Sequence, residues 1–528
     1  MKILVAELLA REGVEILRRH HDVDEKVGLT AEEYRAILPE YDALVVRSQL
    51  KVDAEMIAAG TRLTVIGRAG VGVDNVDLDA ATRAGITVVN APTGNTIAAA
   101  ELTLALLFAL SRNVAAADAS MRRGEWKRSA FVGHELRGKT LGIVGLGKIG
   151  QAIADRARSL EMIVIASDPF VSAEQAARHG IELVPFEELL QRSDAVTLHV
   201  PVTKATKGLI GAAELARMKP SAFLLNVARG AVVDEAALAA ALRAGTIAGA
   251  GVDVYTAEPP TGNPLLDAPN TVLTPHLGAS TAEAQVLVAE EASQQVLDVL
   301  DGRPARYAVN APLLTPETAR AIAPYLPLAE TLGRFYSQFA RGAVVTLTLE
   351  VAGELAAHDV TPLQAAVLRG LLEGTTTERV NLVNAAHLAK ARGLTLVERR
   401  TPDAGTFATL VTISGTTANG VVRTVAGTLA NGEPRFVRLD DFWLDVAPAP
   451  WVLVSLHTDR PGMIGQVGSL LGAADVNISA MHLGRSAPRS DAVMFLALDD
   501  PVPAETAAAI RAIDGVLDQW VIDLEPAR

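Results

Sequence analysis

The chain has 528 residues, 49% of them apolar, a net charge of −13 and no cysteine. That length calls for about three or four domains with large cores, and the lack of cysteine excludes disulfides, thiolate metal sites and cysteine nucleophiles. The negative balance argues against nucleic acid or an anionic membrane as partner, so an anionic substrate must be held by local arginines.

The first elements alternate strand and helix. "KILVAE", "ALVVRS", "LTVIGRAG" and "ITVVNAP" are apolar runs of strand length, and together they predict a small parallel α/β layer over residues 1–95. The opening stretch contains Glu7 and lacks a small-residue cleavage pattern, so no secretory leader is expected. "AAAELTLALLFALSR" is interrupted by Glu101 and Arg112, which predicts a buried helix rather than a membrane span. A soluble, cytoplasmic protein is the expectation.

At 139–169 the chain reads "KTLGIVGLGKIGQAIADRARSLEMIVIASDP". An apolar strand ends in Gly145, Gly147 and Gly150, a helical pattern follows, and a second strand ends at Asp168. Gly145 permits the tight turn, Gly147 lets backbone approach a pyrophosphate at the helix N-terminus, and Gly150 lets helix and strand pack. Asp168 suits ribose hydroxyls and disfavours a 2′-phosphate, so the expected cofactor is NAD.

Four further runs follow: "AVTLHVP", "AFLLNVARG", "GAGVDVY" and "TVLTPHLG". Open parallel sheets bind ligands beyond the carboxyl ends of their strands. Arg229, Asp253, Glu258 and His276 all fall there. Oxidation of an alcohol carbon needs a base, a cation for the oxygen or carboxylate, and a group that orients the base. His276 is the candidate base, Glu258 its carboxylate partner, and Arg229 the cationic fork. No metal ligands are expected.

Beyond a proline-rich stretch at 301–327 the pattern changes. "VVTLTLEV" alternates with period two, and Asn419–Gly420 and Asn431–Gly432 predict hairpin turns. Helices are expected at about 362–373 and 380–392, giving an α+β module without a nameable site. "PAPW" at 448–451 marks the next boundary. The remainder reads strand, helix, strand, strand, helix, strand, a ferredoxin-like βαββαβ unit.

"GLGKIG", "NVARGAVVDEAAL", "GAGVDVYTAEPP", "TPHLGAST" and "GRAGVGVDNVDLDAATRAGITVVNAPTGNT" resemble the D-isomer-specific 2-hydroxyacid dehydrogenases over roughly residues 1–305. "HTDRPGMIGQVGSLLGAADVNISAMHLGR" resembles an ACT domain. The resemblance implies a Rossmann-type NAD domain (99–283) inserted in a flavodoxin-like substrate domain (1–98 and 284–305). An α+β intervening domain (314–448) and an ACT domain (451–528) follow. It implies Arg229, Glu258 and His276 as the catalytic trio. The implied NAD contacts are Gly145, Gly147, Lys148, Ile149, Gly150, Asp168, Val200, Val227, Ala228, Arg229, Asp253, His276, Gly278 and Ala279.

Substrate anions would be held by Arg47, Arg68, Asn75 and a backbone nest at Ala69, Gly70 and Val71. Lys127 and Arg128 would reach a neighbouring subunit's site. Val71 and Val200 stand where the family often has Thr, so two cofactor hydrogen bonds are expected to be missing. Members with this three-part layout oxidise 3-phospho-D-glycerate at the start of L-serine biosynthesis and take L-serine as feedback inhibitor. That implies an effector site of His457, Asp459, Gly462 and Asn477, with Asn477 often coming from a partner subunit, in a homo-oligomeric dimer or tetramer. Two other readings stay open at this point: another D-2-hydroxyacid dehydrogenase of the glyoxylate or hydroxypyruvate reductase type, and a non-catalytic NAD-sensing regulatory protein.

Overall fold

The computed structural model describes residues 1–303, 305–311, 316–376 and 378–525. The expected first residues of the intervening domain, 314 and 315, and the last three of the ACT domain, 526–528, lie outside them.

Four sheets organise the chain. The first contains β1 (Lys2–Val5), β2 (Asp22–Glu25), β3 (Ala43–Val46), β4 (Val65–Arg68) and β5 (Thr87–Asn90), all parallel, in the order β2-β1-β3-β4-β5. That is the flavodoxin-like order. β2 is not evident from the sequence: "DVDE" has a single apolar residue and survives as a strand because it sits at the sheet edge.

The second sheet holds β6 (Thr140–Val144), β7 (Ile163–Ser167), β8 (Glu182–Leu183), β9 (Ala195–Leu198), β10 (Phe223–Asn226), β11 (Gly249–Val252) and β12 (Thr271–Leu273). Its order is β12-β11-β10-β9-β6-β7-β8, all parallel, so the topological switch falls beside β6. The apolar helix Thr96–Ser111 packs against this sheet, with Leu106 and Leu107 at 3% and 0% exposure. Among the described residues no single helix is long and apolar enough to cross a membrane. The helix Ala282–Leu300 returns to the first sheet, where Val296 and Leu297 join Ile3, Val45 and Val65 in one cluster. A Cβ on Gly67 would stand 2.5 Å from Val296 Cγ2, so a larger residue in β4 would push this helix away.

The third sheet is mixed. β13 (Val344–Gly353) pairs parallel with β14 (Thr395–Thr401) and antiparallel with β15 (Thr409–Thr417). β16 (Val422–Ala430), β17 (Glu433–Leu439) and β18 (Phe442–Val446) continue it antiparallel. Both Asn-Gly hairpins are present. Asn431 and Gly432 have φ of 53° and 83°, the positive pair that a two-residue turn requires. Helices Thr361–Glu373 and Ala385–Ala391 match the expected positions. The helix Leu326–Phe339 is an addition to the sequence-based expectation.

The fourth sheet has β19 (Trp451–Thr458), β20 (Ile478–Arg485), β21 (Asp491–Leu498) and β22 (Val516–Asp523), antiparallel in the order β20-β21-β19-β22. With helices Met463–Ala473 and Ala504–Arg511 it completes the βαββαβ unit. One sheet face packs on those helices through Leu453, Leu496 and Leu498. The other packs on the helix Leu326–Phe339. Val452, Phe495 and Trp520 share a core with Leu328, Phe335, Phe339 and Phe436. Phe335 lies 5.0 Å from Phe436 and 5.9 Å from Phe495, centroid to centroid. Each such ring contributes about 1.5–3 kcal/mol by burial, so the "PAPW" boundary separates two sheets but not two cores.

The third-sheet module also grips the first. Asn381 Nδ2 donates to Gly85 O (2.6 Å), Arg379 Nη1 to Leu63 O (3.2 Å) and Asn384 Nδ2 to Arg83 O (3.4 Å).

Candidate active site

The loops after β10, β11 and β12 lie side by side because their strands are neighbours. They carry Arg229, Glu258 and His276. His276 Nδ1 is 2.7 Å from Glu258 Oε2, and Glu258 Oε1 accepts from Tyr255 N (3.1 Å). The carboxylate therefore fixes one ring nitrogen and leaves Nε2 for other work. His276 adopts φ 56°, an uncommon left-handed conformation for a non-glycine residue.

Asp253 holds that conformation. It is fully buried, accepts from Thr274 Oγ1 (2.6 Å), Leu277 N (2.7 Å) and Gly278 N (2.9 Å), and through its own carbonyl receives His276 N (2.8 Å). Burial pushes its carboxyl pKa up, against the pull of those hydrogen bonds. Its carboxylate is occupied in shaping the 274–278 turn. Thr274 is a member of this set that the sequence does not flag; its hydroxyl beside Pro275 is the only signal.

Arg229 reaches the first sheet. Its Nε donates to Asp74 Oδ2 (2.8 Å) and its Nη1 to Ala228 O (2.7 Å). A Cβ on Gly72 would stand 1.8 Å from Arg229 Nη2, and one on Gly70 (φ 149°) 1.6 Å from Arg68 Nη1. Gly70 and Gly72 of "GRAGVGVD" thus make room for two guanidinium groups. Arg68 Nε is buried with no hydrogen-bond partner, and burial together with the nearby Arg229 lowers its pKa to about 10. Two converging cations with one exposed carboxylate near them favour an anion.

Other expected substrate residues have different work. Ala69 N donates to Val46 O (2.8 Å) and Gly70 N to Arg68 O (2.9 Å), so two of the three donors of the expected nest are already used. Asn90 Nδ2 donates to Val71 O (2.5 Å). Asn75 Nδ2 donates to Arg47 O (3.0 Å) and Leu50 O (2.7 Å), and Arg47 Nη1 to Leu8 O (3.2 Å). Glu7, which no motif marks as a site residue, accepts from Arg47 N (2.6 Å) and Gln49 N (2.9 Å). Asn75 and Glu7 shape the 47–50 loop. Arg128 is exposed on the turn Arg128–Phe131, and Lys127 pairs with Glu125 (3.3 Å). Among the described residues neither is hydrogen-bonded to the cleft residues. Exposed Trp126 and Val132 flank that turn.

The glycine loop fits a dinucleotide. Gly145 has φ 93°, and a Cβ there would stand 2.5 Å from His199 O; at Gly150 it would stand 2.2 Å from Gly145 O. At Gly147 a Cβ would meet nothing within 4 Å, so open space lies above the backbone at the N-terminus of the helix Lys148–Ser159. Asp168 follows the end of β7 against this loop: Leu146 N donates to its Oδ2 and Phe170 N to its Oδ1, both 2.8 Å. Val200 packs against Gly145, Val227 is 7% exposed beside Gly278, and Ala279 O accepts from Gln285 Nε2 (2.6 Å). Lys148 Nζ lies 5.2 Å over the Tyr307 ring, and Ile149 is half-buried. His199, a further residue that no motif marks, is half-buried as a residue, yet desolvation lowers its imidazole pKa to about 3, with Nε2 2.7 Å from Thr197 Oγ1.

The expected effector residues divide between two ends of the fourth sheet. His457 (1% exposed), Asp459 and Gly462 (φ 90°) lie at and just beyond the end of β19. Burial lowers the His457 pKa. Asp459 Oδ2 accepts from Arg489 N and Arg485 Nη1, both 3.1 Å, and these bonds lower its pKa. Asn477 precedes β20, whose first residue Ile478 is level with Leu498 and hence with Trp451 at the start of β19. Its Nδ2 donates to Asp499 Oδ2 (2.6 Å). Within one chain Asn477 and Asp459 therefore do not meet.

A carboxylate-backed imidazole and a dinucleotide loop at the carboxyl ends of one parallel sheet, together with an anion-seeking arginine pair, define an NAD-linked dehydrogenase, and the comparisons agree. Residues 104–278 match the NAD-binding domain of the D-isomer specific 2-hydroxyacid dehydrogenases. Residues 321–440 match the D-3-phosphoglycerate dehydrogenase intervening domain and 451–515 the ACT domain. The chain is 45% identical to D-3-phosphoglycerate dehydrogenase of Synechocystis sp., over 99% of this chain and 95% of that one. It is 42% identical to the enzyme of that name from Archaeoglobus fulgidus, over 99% and 100%. Among solved structures, a Thermus thermophilus protein is 39% identical and superposes with TM-score 0.55 over 58% of this chain and 100% of its own. A glyoxylate reductase from Paecilomyes thermophila is 31% identical, with TM-score 0.54 over 58% and 98%. The chain belongs to the D-3-phosphoglycerate dehydrogenase family.

Proposed function

We propose that this chain oxidises 3-phospho-D-glycerate to 3-phosphohydroxypyruvate, the first step of L-serine biosynthesis. The observation that carries the reading is the His276–Glu258 pair (2.7 Å) beside Arg229, in a chain whose full-length relatives bear that enzyme name. NAD⁺, held by the Gly145–Gly150 loop and Asp168, supplies the hydride acceptor when bound. Arg229 and Arg68 grip the substrate's anionic groups, displacing Asp74 from Arg229. Neutral His276 takes the C2 hydroxyl proton at Nε2, and Glu258 stabilises the imidazolium that forms. Asp253 keeps the His276 turn in its left-handed shape. Closure of the two sheets over the cleft excludes water.

The domain division we propose is 1–98 with 284–305 for substrate, 99–283 for NAD, 314–448 intervening and 451–528 ACT. We further infer a cytoplasmic homo-oligomer, a dimer or tetramer, in which Lys127 and Arg128 reach a neighbouring cleft; exposed Trp126 and Val132 beside them support a contact there. L-Serine binds where His457, Asp459 and Gly462 of one subunit meet Asn477 of another, an arrangement supported by their separation within one chain. The direct test is NADH formation from 3-phospho-D-glycerate, with and without L-serine, against glyoxylate and hydroxypyruvate as rival substrates. No turnover with intact NAD binding would instead mark a regulatory protein. Calorimetry with L-serine on Asn477→Ala tests the effector site, and unchanged binding removes Asn477 from it.

A further inference from the structure

Arg229, Glu258 and His276 come from three separate loops, after β10, β11 and β12. Bonds within one loop do not set the distances between loops, and a misplacement of about 1 Å at a reacting centre can cost about 10²-fold in rate. β12 is the weakest anchor of the three. It has three residues, all half-buried, and it lies at the sheet edge, where it pairs with β11 alone. His276 follows its last residue, Leu273, by three positions.

The three loops meet at Tyr255. Its ring is 7% exposed and packs in one cluster with Leu238, Val252, Leu265 and Ala268. Towards Glu258, its backbone N–H donates to Oε1 (3.1 Å). Towards Arg229, the neighbouring Gly230 is seated directly on its backbone: a Cβ there would stand 2.0 Å from Tyr255 C and 2.3 Å from Tyr255 O. Towards His276, its hydroxyl donates between Thr274 O (3.1 Å) and Val252 O (3.3 Å). Thr274 N donates to the same Val252 carbonyl (3.0 Å), so the hydroxyl closes the ends of β11 and β12 over each other.

A phenyl ring would fill the same space. What the hydroxyl adds is a tie between two strands just beyond their last paired residues, Val252 and Leu273. Burial, with Asp253, Glu258 and Glu235 nearby, raises the phenol pKa, so the group stays a donor.

We propose that Tyr255 is the positioning residue of this site. Its N–H fixes Glu258, and its hydroxyl pins the end of β12 and with it the His276 turn. One side chain thereby sets the separation of the imidazole from its carboxylate, while Gly230 keeps the Arg229 loop in register with both. Asp253 shapes the turn; Tyr255 determines where the turn stands. The proposal rests on the reading of His276 and Glu258 as the working pair.

The test is Tyr255→Phe in the full chain, which keeps the ring and the N–H and deletes only the tie. The first readout is the downfield proton resonance of His276 Nδ1–H on Glu258, assigned by its loss in His276→Asn; it needs no substrate. The second is kcat against KM for 3-phospho-D-glycerate, with NADH affinity from fluorescence titration. The expected result is an upfield move or broadening of the line and a kcat lower by about tenfold, with KM and NADH affinity within about twofold of the parent. Thr274→Val frees the same strand end from Asp253 Oδ1 and keeps the test alive if Tyr255→Phe fails to fold. An unmoved line in the folded variant, at any melting temperature, marks a merely structural tyrosine and overturns the proposal. An unchanged kcat overturns it too, as does a loss carried by KM or NADH affinity alone. A line that moves in a chain whose parent does not oxidise the substrate leaves the positioning standing and sinks the proposed function instead.

Discussion

Two seams run through this molecule, and they are built in opposite ways. Between the first and second sheets the cores stay separate. Residues such as Leu44 and Ile66 fill one, Val196 and Leu224 another, and the ion pair from Arg229 to Asp74 crosses the cleft. Between the third and fourth sheets the core is continuous, with Phe335 touching Phe436 on one side and Phe495 on the other. Polar, solvated contacts permit relative motion, whereas a shared apolar core makes two modules one body. The proposed chemistry lies at the seam that can open, and the ACT module belongs to the one that cannot.

The largest effect belongs to the open seam. His276→Ala should cost about 10²–10⁴ in kcat; a near-normal rate in steady-state assays removes it from the chemistry. Phe335→Ala should cost about 3–5 kcal/mol. Denaturant unfolding followed separately at the third and fourth sheets should move both transitions together, and a shift in only one breaks the claim of a single body.

Next comes His199. Its folded pKa of about 3 lies below the ordinary 6.5, so the unfolded chain binds the proton first as pH falls. Stability contributed by the neutral ring is present above pH 6.5 and lost progressively below it. Between pH 7.5 and 5 the loss is about 2 kcal/mol. His199→Asn should flatten that part of the urea-midpoint profile, and an unchanged slope contradicts the assignment. The smallest effect is at the ion pair across the cleft. Asp74 is 67% exposed, and such pairs contribute about 0.2–1 kcal/mol. Asp74→Asn should lower KM for the anionic substrate by up to about fivefold, with kcat unchanged. A raised KM would mean that Asp74 orients Arg229 rather than competing for it.

The two seams are also unequally legible in the sequence. Parallel strands buried on both faces announce themselves as apolar runs, and the residues after them fall where ligands bind, which makes Arg229, Glu258 and His276 readable as candidates. Asp74, Glu7 and Thr274 are not, because their roles come from partners brought near only by the fold. The helix Leu326–Phe339 escapes notice because its prolines blend with the linker before it. It is buried between two sheets, with Leu328, Phe335 and Phe339 at 0%, 0% and 2% exposure. "PAPW" reads correctly as a break in the chain, but nothing local reports that side chains on either side of it share a core.

The side chains of Arg379, Asn381 and Asn384, anchored on the backbone carbonyls of Leu63, Gly85 and Arg83, have a mechanical corollary. They fasten the C-terminal half to the first sheet, so when the cleft shuts that half must swing with it like a tiller. Spin labels on β4 and β22 should keep their separation through closure, while labels on β10 and β22 should not. Whatever clamps the far end of the tiller from outside would then hold the cleft at a fixed angle without touching it.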